Sequence, residues 1–203
     1  MTTKGIGFHF RGTIGGIAIG IFTAIALFST PEVSEGTWWD VVTDGFAWAA
    51  MVVGIGLRFW STLFLAGRKE TAVVSDGPYS ICRNPLYLGS FFIAISAGLF
   101  LESVTFTIGV GLSIIFYMLA TVPAEERYLK SVLGKEYEDY LKRVPSFIPN
   151  FSLYREPKKL EVDLIGLKNE ALRAGRWIWL PIFTEAIAML RLEPWWPHFF
   201  RLP

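Results

Sequence analysis

Apolar residues run almost unbroken through four stretches of the chain, 13–28, 46–66, 87–101 and 104–122. A helix needs about 20 residues to cross a hydrocarbon core of roughly 30 Å. The second and fourth stretches meet that length, while the first and third need interfacial residues or a locally thinned bilayer to complete them. The pattern then changes. In EERYLKSVLGKEYEDYLKRVPSFIP, Leu129, Leu133, Tyr137, Leu141 and Val144 recur at helical spacing, with Lys130, Lys135, Glu138 and Lys142 on other faces, which predicts an amphipathic helix. Pro123 suits a first helical turn, and Pro145 ends the helix by disfavouring helical geometry in the residue before it. After Pro149 a charged, helix-prone segment leads into WIWLPIFTEAIAML, which is interrupted by Pro181 and Glu185 and too short to span. An interfacial or re-entrant helix is expected there, anchored by PWWPHFFRLP. The expected fold is therefore an all-α membrane protein with four transmembrane helices, a cytoplasmic amphipathic helix and a C-terminal interfacial or re-entrant helix. Residues 1–70 would form an N-terminal helical hairpin, 71–150 a second hairpin with its flanking polar segments and amphipathic helix, and 151–203 a cytoplasmic or interfacial extension.

Charge placement gives this arrangement a direction. Lys4 and Arg11 precede the first apolar stretch, acidic residues alone fill the loop after it, and Arg68, Lys69 and Arg83 follow the second. Basic residues near membrane-spanning ends stay on the cytoplasmic side, so both termini and the segment around Arg83 are expected there. The first apolar stretch lacks a small-residue cleavage signal and reads as a retained span. Composition agrees with a membrane protein: 52% of the 203 residues are hydrophobic, and the 18% that are charged fall below the usual share of about 25%. The formal net charge of +1 makes no case for nucleic acid, and one cysteine excludes both an internal disulfide and a cysteine-built metal site. Arg58 lies inside the second stretch, where a charge is costly unless it snorkels or finds a partner. Its position toward residue 67 favours snorkelling to the Arg68-Lys69 side.

The candidate chemistry sits in GPYSICRNPLYLG, residues 77–89. Gly77-Pro78 predicts a turn, and Asn84-Pro85 forces an extended residue just before the third span. The turn at 101–103 is so short that the third and fourth spans must form a tight antiparallel hairpin. That places Arg83, Asn84 and Tyr87 near Pro123, Glu125 and Glu126, at an end where water is scarce and polar groups must be paired. From position alone, two readings stand: a site for a charged, polar small molecule, or an interfacial salt bridge that trims the hairpin.

These residues resemble a known family. GPYSICRNPLYLG, an apolar hairpin and VPAEERYLKSVLGKEYEDYLKRVPSFIP are similar to the integral-membrane methyltransferases that include isoprenylcysteine carboxyl methyltransferases and phospholipid N-methyltransferases, whose pattern runs roughly GxYxxxRHPxYxG, then EExxLxxxFGxxYxxYxxxVPRxIP. The resemblance covers about residues 77–149. It implies S-adenosylmethionine bound at the cytoplasmic end of the hairpin and a lipophilic acceptor, a small molecule or lipid, entering from the bilayer. Carried over by residue, it implies cofactor contacts from Tyr79, Arg83, Pro85, Tyr87, Gly89, Glu125, Glu126, Tyr137 and Tyr140, and catalytic roles for Arg83, Asn84, Tyr87 and Glu126. Two positions depart from the pattern. Asn84 stands where the family usually has histidine, and Ser146 where arginine is frequent. Asn84 cannot titrate near neutral pH, and Ser146 leaves Arg143 as the nearest cation for the cofactor carboxylate.

Methyl transfer from a sulfonium is an in-line displacement that chiefly requires alignment and exclusion of water. A carboxylate acceptor needs no base, whereas an amine must first lose a proton. The absence of histidine in the motif favours an isoprenylcysteine-carboxylate-like acceptor, with a phospholipid amine or a small thiol as alternatives. From another class, membrane sterol-type reductases with a nicotinamide cofactor share a loosely similar helix, and a non-enzymatic helical scaffold is the remaining alternative. His9 and His198 are too isolated for a metal pair and read as surface residues, and nothing marks Cys82 as an activated thiol. Glycines 16, 20, 54 and 56 read as helix-packing faces, and tryptophans 38, 39, 195 and 196 as interfacial anchors. The extension after Pro149 would either set acceptor specificity or attach the tail to the membrane.

Overall fold

The computed structural model describes residues 17, 20–29, 37–65, 68 and 71–200. Helix α1 covers 20–27, so most of the first expected span, with His9 and Gly16, lies outside the described residues. The remaining helices are α2 (Trp38–Leu65), the single turn α3 (Pro78–Ile81), α4 (Pro85–Phe100), α5 (Val104–Phe116), α6 (Val122–Arg143), α7 (Leu164–Trp177) and α8 (Trp179–Arg191). No strand occurs among the described residues, where one isolated bridge joins Ser29 and Phe200. The regular structure of the described residues is all-helical. Two helical segments, Trp38–Leu65 and Val104–Arg143, the second kinked at Gly134, are long and apolar enough to cross a membrane, and Pro85–Phe100 is apolar but shorter.

The fourth span and the first part of the amphipathic helix, expected as separate elements, run on into each other as far as Gly134. Tyr117–Thr121 is a π-helical turn between α5 and α6. Pro123 explains it, because a proline has no N–H to donate and its ring crowds the carbonyl one turn back, which widens the helix ahead of it. Farther along, Gly134 breaks helical geometry within α6 at φ 66°, a left-handed value that glycine adopts without a Cβ penalty. The extension also differs from expectation: it holds two helices, and Pro181 is buried in the first turn of α8.

The described residues gather into two compact units. One draws on Met1–Ala49, Ala94–Glu125 and Leu180–Pro203. Its core is Ala26, Leu101, Phe106 and Val110, with Phe22, Ile114 and Ile187 packed against them. Arg191, 1% exposed, donates to the carbonyls of Leu101 at 3.0 Å and Ser29 at 3.2 Å, satisfying chain ends that would otherwise be orphaned. Ser103 caps α5 by accepting from the Phe106 amide. Trp38 and Trp39 are exposed as anchors should be, whereas Trp196 turns inward and donates from Nε1 to the Leu27 carbonyl at 2.8 Å. Glu102, in the α4–α5 turn, has its carboxyl pushed up to about 7 from an ordinary 4.5, first by burial and then by a hydrogen bond with Asp40 and the charges of Asp40, Asp44 and Glu185. A raised folded-state value means this carboxyl contributes stability that is fully present below about 4.5 and is lost as pH rises through about 7. Comparing melting temperatures of wild type and Glu102→Gln between pH 4 and pH 8 should show the wild type losing ground across that window, and parallel curves would refute it.

The other unit comprises Ala50–Ile93 and Glu126–Trp179. Here α2 and α4 cross at glycines: a Cβ on Gly54 would lie 2.7 Å from the Gly89 carbonyl oxygen, and one on Gly89 would lie 2.7 Å from that of Gly54. Among the described residues nothing lies within 4 Å of a Cβ added at Gly20 or Gly56, so neither is seen to pack a helix as Gly54 does. The Arg68 guanidinium donates to the Phe64 carbonyl at 2.6 Å and closes the end of α2. Arg58 does not snorkel. It is buried, its Nε and Nη2 donate to the two oxygens of Glu170 at 2.6 and 3.0 Å, and its Nη1 donates to Ser90 Oγ at 2.6 Å. The Trp177 ring lies 4.8 Å from the guanidinium carbon. A full carboxylate partner outcompetes the bulk water that snorkelling would have reached.

Candidate active site

The second unit brings residues 77–84 alongside 144–155. Arg83 and Asn84 donate their amides to the carbonyls of Pro145 and Ser146 at 2.9 and 3.2 Å, and the Asn150 amide donates to the Ile81 carbonyl at 2.9 Å. Gly77 permits the entry into this pairing, since it sits at φ 55° with Phe64 packed where a Cβ would go. Its amide donates to the Arg155 carbonyl, and Ser80 Oγ accepts from the Arg155 amide. Both segments leave helices because a proline follows, Pro85 in one and Pro145 in the other, and each frees its backbone to pair with the other.

Arg83 is the centre of this arrangement. Its Nε donates to Glu126 Oε1 at 2.9 Å and Nη2 reaches Oε2 at 3.4 Å, while Nη1 donates to the carbonyls of Leu141 and Val144 at 2.9 and 2.6 Å. One side chain therefore ties the start of α6 to its last turn, where the carbonyls have no helical partner. Asn84 Nδ2 donates to Ser146 Oγ at 3.1 Å and to the Ser146 carbonyl at 3.2 Å, and lies 3.4 Å from Glu126 Oε1. The two positions that depart from the family pattern thus touch each other. An open cavity of about 800 Å³ lies against Arg83, with Arg143, Pro145, Asn150 and Phe151 also on its lining, and Asn84, Glu126 and Ser146 are not part of that lining.

Of the residues singled out from sequence, Arg83, Asn84 and Glu126 are brought together, and Arg143 reaches the same cavity as Arg83. Glu125, the neighbour of Glu126, lies in the first turn of α6. Tyr137 and Tyr140 are buried with Val144 against Leu129, Leu133 and Leu141, and Tyr140 donates its hydroxyl to the Tyr79 carbonyl at 2.9 Å, so packing accounts for these tyrosines. Gly89 is explained by the crossing with Gly54. Pro85 and Tyr87 lie in the first turn of α4. The Cys82 thiol is buried beside the Ser146 carbonyl, and burial pushes it up to about 11, which leaves it unreactive. His198 is exposed, with Nε2 2.9 Å from the Arg191 carbonyl. Among the described residues no group of three or more His, Cys, Asp and Glu is arranged to hold a metal ion. Sequence reasoning missed the Arg58–Glu170 pair. The mid-span charge was a signal that a partner was needed, but nothing local pointed to a residue 112 positions away.

Comparison with known proteins meets this geometry from outside. A family model described as phospholipid methyltransferase matches residues 45–136. The nickel-cobalt-cadmium resistance protein NccN of Alcaligenes xylosoxydans xylosoxydans is 30% identical over 181 residues, covering 88% of this chain and 84% of that protein. The cobalt-zinc-cadmium resistance protein CzcN of Cupriavidus metallidurans is 32% identical over 152 residues, 75% of this chain and 70% of that one. Protein-S-isoprenylcysteine O-methyltransferase of Schizosaccharomyces pombe is 32% identical over 101 residues, half of this chain and 43% of the yeast protein. No solved structure matches. With the two motifs folded against each other and relatives of this kind, the chain is a methyltransferase and belongs to the integral-membrane superfamily of isoprenylcysteine carboxyl methyltransferases and phospholipid N-methyltransferases.

Proposed function

We propose that the protein transfers a methyl group from S-adenosylmethionine to a lipophilic acceptor bearing a carboxylate of the isoprenylcysteine kind. In this reading four transmembrane helices hold the site at the cytoplasmic face, residues 1–70 and 71–150 form the two hairpins, and 151–203 is the extension. The observation that carries it is Arg83, which lines an open cavity together with Arg143 while holding Glu126 in a bidentate pair behind it.

The residues present fit such a donor. A volume of about 800 Å³ is in the range of small-molecule sites, roughly 300 to 1,000 Å³. Arg143, exposed on the lining, would hold the donor's carboxylate, with Glu126 and Asn84 fixing Arg83 from behind the lining. Tyr79, Pro85, Tyr87, Gly89, Glu125, Tyr137 and Tyr140 complete the shell by direct contact or from behind. When bound, the donor supplies a methyl already activated on a sulfonium. What the chain adds is position and dryness. A carboxylate acceptor neutralises charge as it reacts and gains from a water-poor site. A protonated amine would need a base, and the local groups serve poorly: Asn84 does not titrate, and both Glu126 oxygens already face the Arg83 guanidinium. This favours the carboxylate over the phospholipid amine, with a small thiol as the other alternative.

A methyl-donor assay on purified protein against prenylcysteines, phosphatidylethanolamine and small thiols tests the acceptor. Transfer confined to the phospholipid amine would overturn the carboxylate reading. For the donor, Glu126→Ala and Glu125→Ala should each weaken binding, the former more because it also strands Arg83. A charge-assisted hydrogen bond left unmade costs about 1.5 to 3 kcal/mol, roughly 10- to 150-fold in affinity. Unchanged calorimetric affinity in both variants would reduce the acidic pair to a feature of the helix turn.

A further inference from the structure

Arg58 is an odd residue to bury. It sits on α2 beyond that helix's acidic first turns, the one charged residue between Gly45 and Leu65, 8% exposed, and reaches across to Ser90 on α4. Ser90 lies one turn beyond Leu86-Tyr87, on the helix that the Arg83-Asn84 motif opens, and Arg58 Cγ packs where a Cβ on Gly89 would fall. The guanidinium thus lies along α4 from the candidate active site, walled by Trp177 and holding a bidentate carboxylate. That carboxylate, Glu170, comes from α7, whose attachment is thin. Only Glu170 and Ala174 of the helix are buried, whereas Leu164, Ile165 and Leu172 are exposed. The helix is held by a charge more than by apolar area. A buried ion pair is a weak source of net stability compared with apolar packing, so such an attachment works as a latch. Glu170 also has somewhere to go, because Arg173, exposed and one turn along α7, already contacts its Oε2 at 3.3 Å.

We propose that Arg58 is an anchoring site for the acceptor's carboxylate, and that Glu170 is the chain's own carboxylate occupying that site when no acceptor is bound. The guanidinium fork matches a carboxylate in bidentate geometry, and the apolar helix α4 beside it suits the hydrocarbon that a lipophilic acceptor would bring with it. On binding, the acceptor takes the two donors, Glu170 moves to Arg173, and α7 lifts. The charges balance throughout: one carboxylate replaces another on Arg58, and the displaced one keeps a cation. The proposal rests on the carboxylate reading of the acceptor, but its test needs no methyl transfer.

The probe is a prenylated cysteine with a free carboxylate, compared with its methyl ester, read by ligand-induced thermal shift and by affinity on the full chain in detergent without methyl donor. In Glu170→Gln the internal competitor loses its charge, so the carboxylate probe should bind about tenfold tighter than to wild type and give a larger shift, with the ester unchanged. In the double variant Arg58→Gln/Glu170→Gln, which buries no unpaired charge, the preference for carboxylate over ester should vanish. A purely structural pair predicts the opposite pattern: Glu170→Gln would lower the melting temperature alike with and without either probe. If Glu170→Gln does not fold, the comparison of wild type with the double variant decides, and a carboxylate preference retained without Arg58 overturns the proposal. Methyl transfer to prenylcysteine with no carboxylate preference tied to Arg58 would sink this site and leave the proposed activity standing.

Discussion

Arg83→Lys should cut methyl transfer at least tenfold while the protein remains folded. The reason is geometric. Arg83 spends its guanidinium in two directions, on Glu126 through Nε and Nη2 and on the carbonyls of Leu141 and Val144 through Nη1. A lysine ammonium is a point charge on a flexible stem and cannot serve a carboxylate and a helix end together. Whichever it abandons is left short of a partner in a site where the two side chains are only 15% and 18% exposed, and a lost charged hydrogen bond costs about 1.5 to 3 kcal/mol. A tenfold loss requires only about 1.4 kcal/mol of this to appear in the barrier. Tyr87→Phe removes one hydroxyl and should cost less. Full activity in Arg83→Lys, on protein whose melting temperature matches the wild type, would make the segment an ordinary connection between helices.

The same arginine shows why part of the site was legible in the sequence. The three-residue turn at 101–103 forces its flanking helices back on each other, and the turn holds, with Ser103 capping α5. Hairpin geometry alone then brings the Arg83 end and the Glu126 end together, with no need to know the helix packing. What the spacing could not show is which of the two, Glu125 or Glu126, takes the Arg83 guanidinium, and it is Glu126 that does. Adjacent residues on a helix point about 100° apart, so only one of a doublet can face a given neighbour. Pro123 likewise announced a change in the helix. A proline reads equally well as a helix start or as a disturbance within a longer helix, and the π-helical turn at Tyr117–Thr121 is the second of these.

Long-range pairing explains the rest of what stayed hidden. Arg58 and Arg191 are both buried, and each donates to groups far away in sequence, Glu170 in one case and the carbonyls of Leu101 and Ser29 in the other. Periodicity reports which face of a helix is apolar, and says nothing of which distant polar group meets the exception on that face. Each compact unit nonetheless uses the same device: an arginine takes carbonyls at the end of a helix, Arg83 on α6 in one and Arg191 beyond α4 in the other. Where water is scarce, an end without a side-chain donor would leave backbone acceptors unpaired.

Glycine is where sequence reading is weakest, and it yields the sharpest contrast for experiment. Gly54 and Gly56 look alike on paper, two residues apart in one apolar helix. Gly54 meets the Gly89 carbonyl and Ile93 at the α2–α4 crossing, while Gly56 has nothing near it and is exposed. Gly89→Ala should therefore destabilise the protein. Its new methyl would fall 2.7 Å from the Gly54 carbonyl oxygen and 2.7 Å from Arg58 Cγ, and because the first of these is backbone, relief requires the helices to separate. Overpacking of this kind costs about 1 to 3 kcal/mol, and here it would also disturb the Arg58–Ser90 contact and the helix that carries Tyr87. Gly56→Ala should go the other way, since alanine is favoured over glycine within a helix by about 0.8 to 1 kcal/mol and nothing opposes the added methyl. Melting temperatures of the two variants in one detergent should move in opposite directions from the wild type, with methyl transfer falling in Gly89→Ala alone. Equal stability in the two would mean that α2 and α4 do not meet at these glycines, and with that the placement of Arg58 beside the motif helix would be lost.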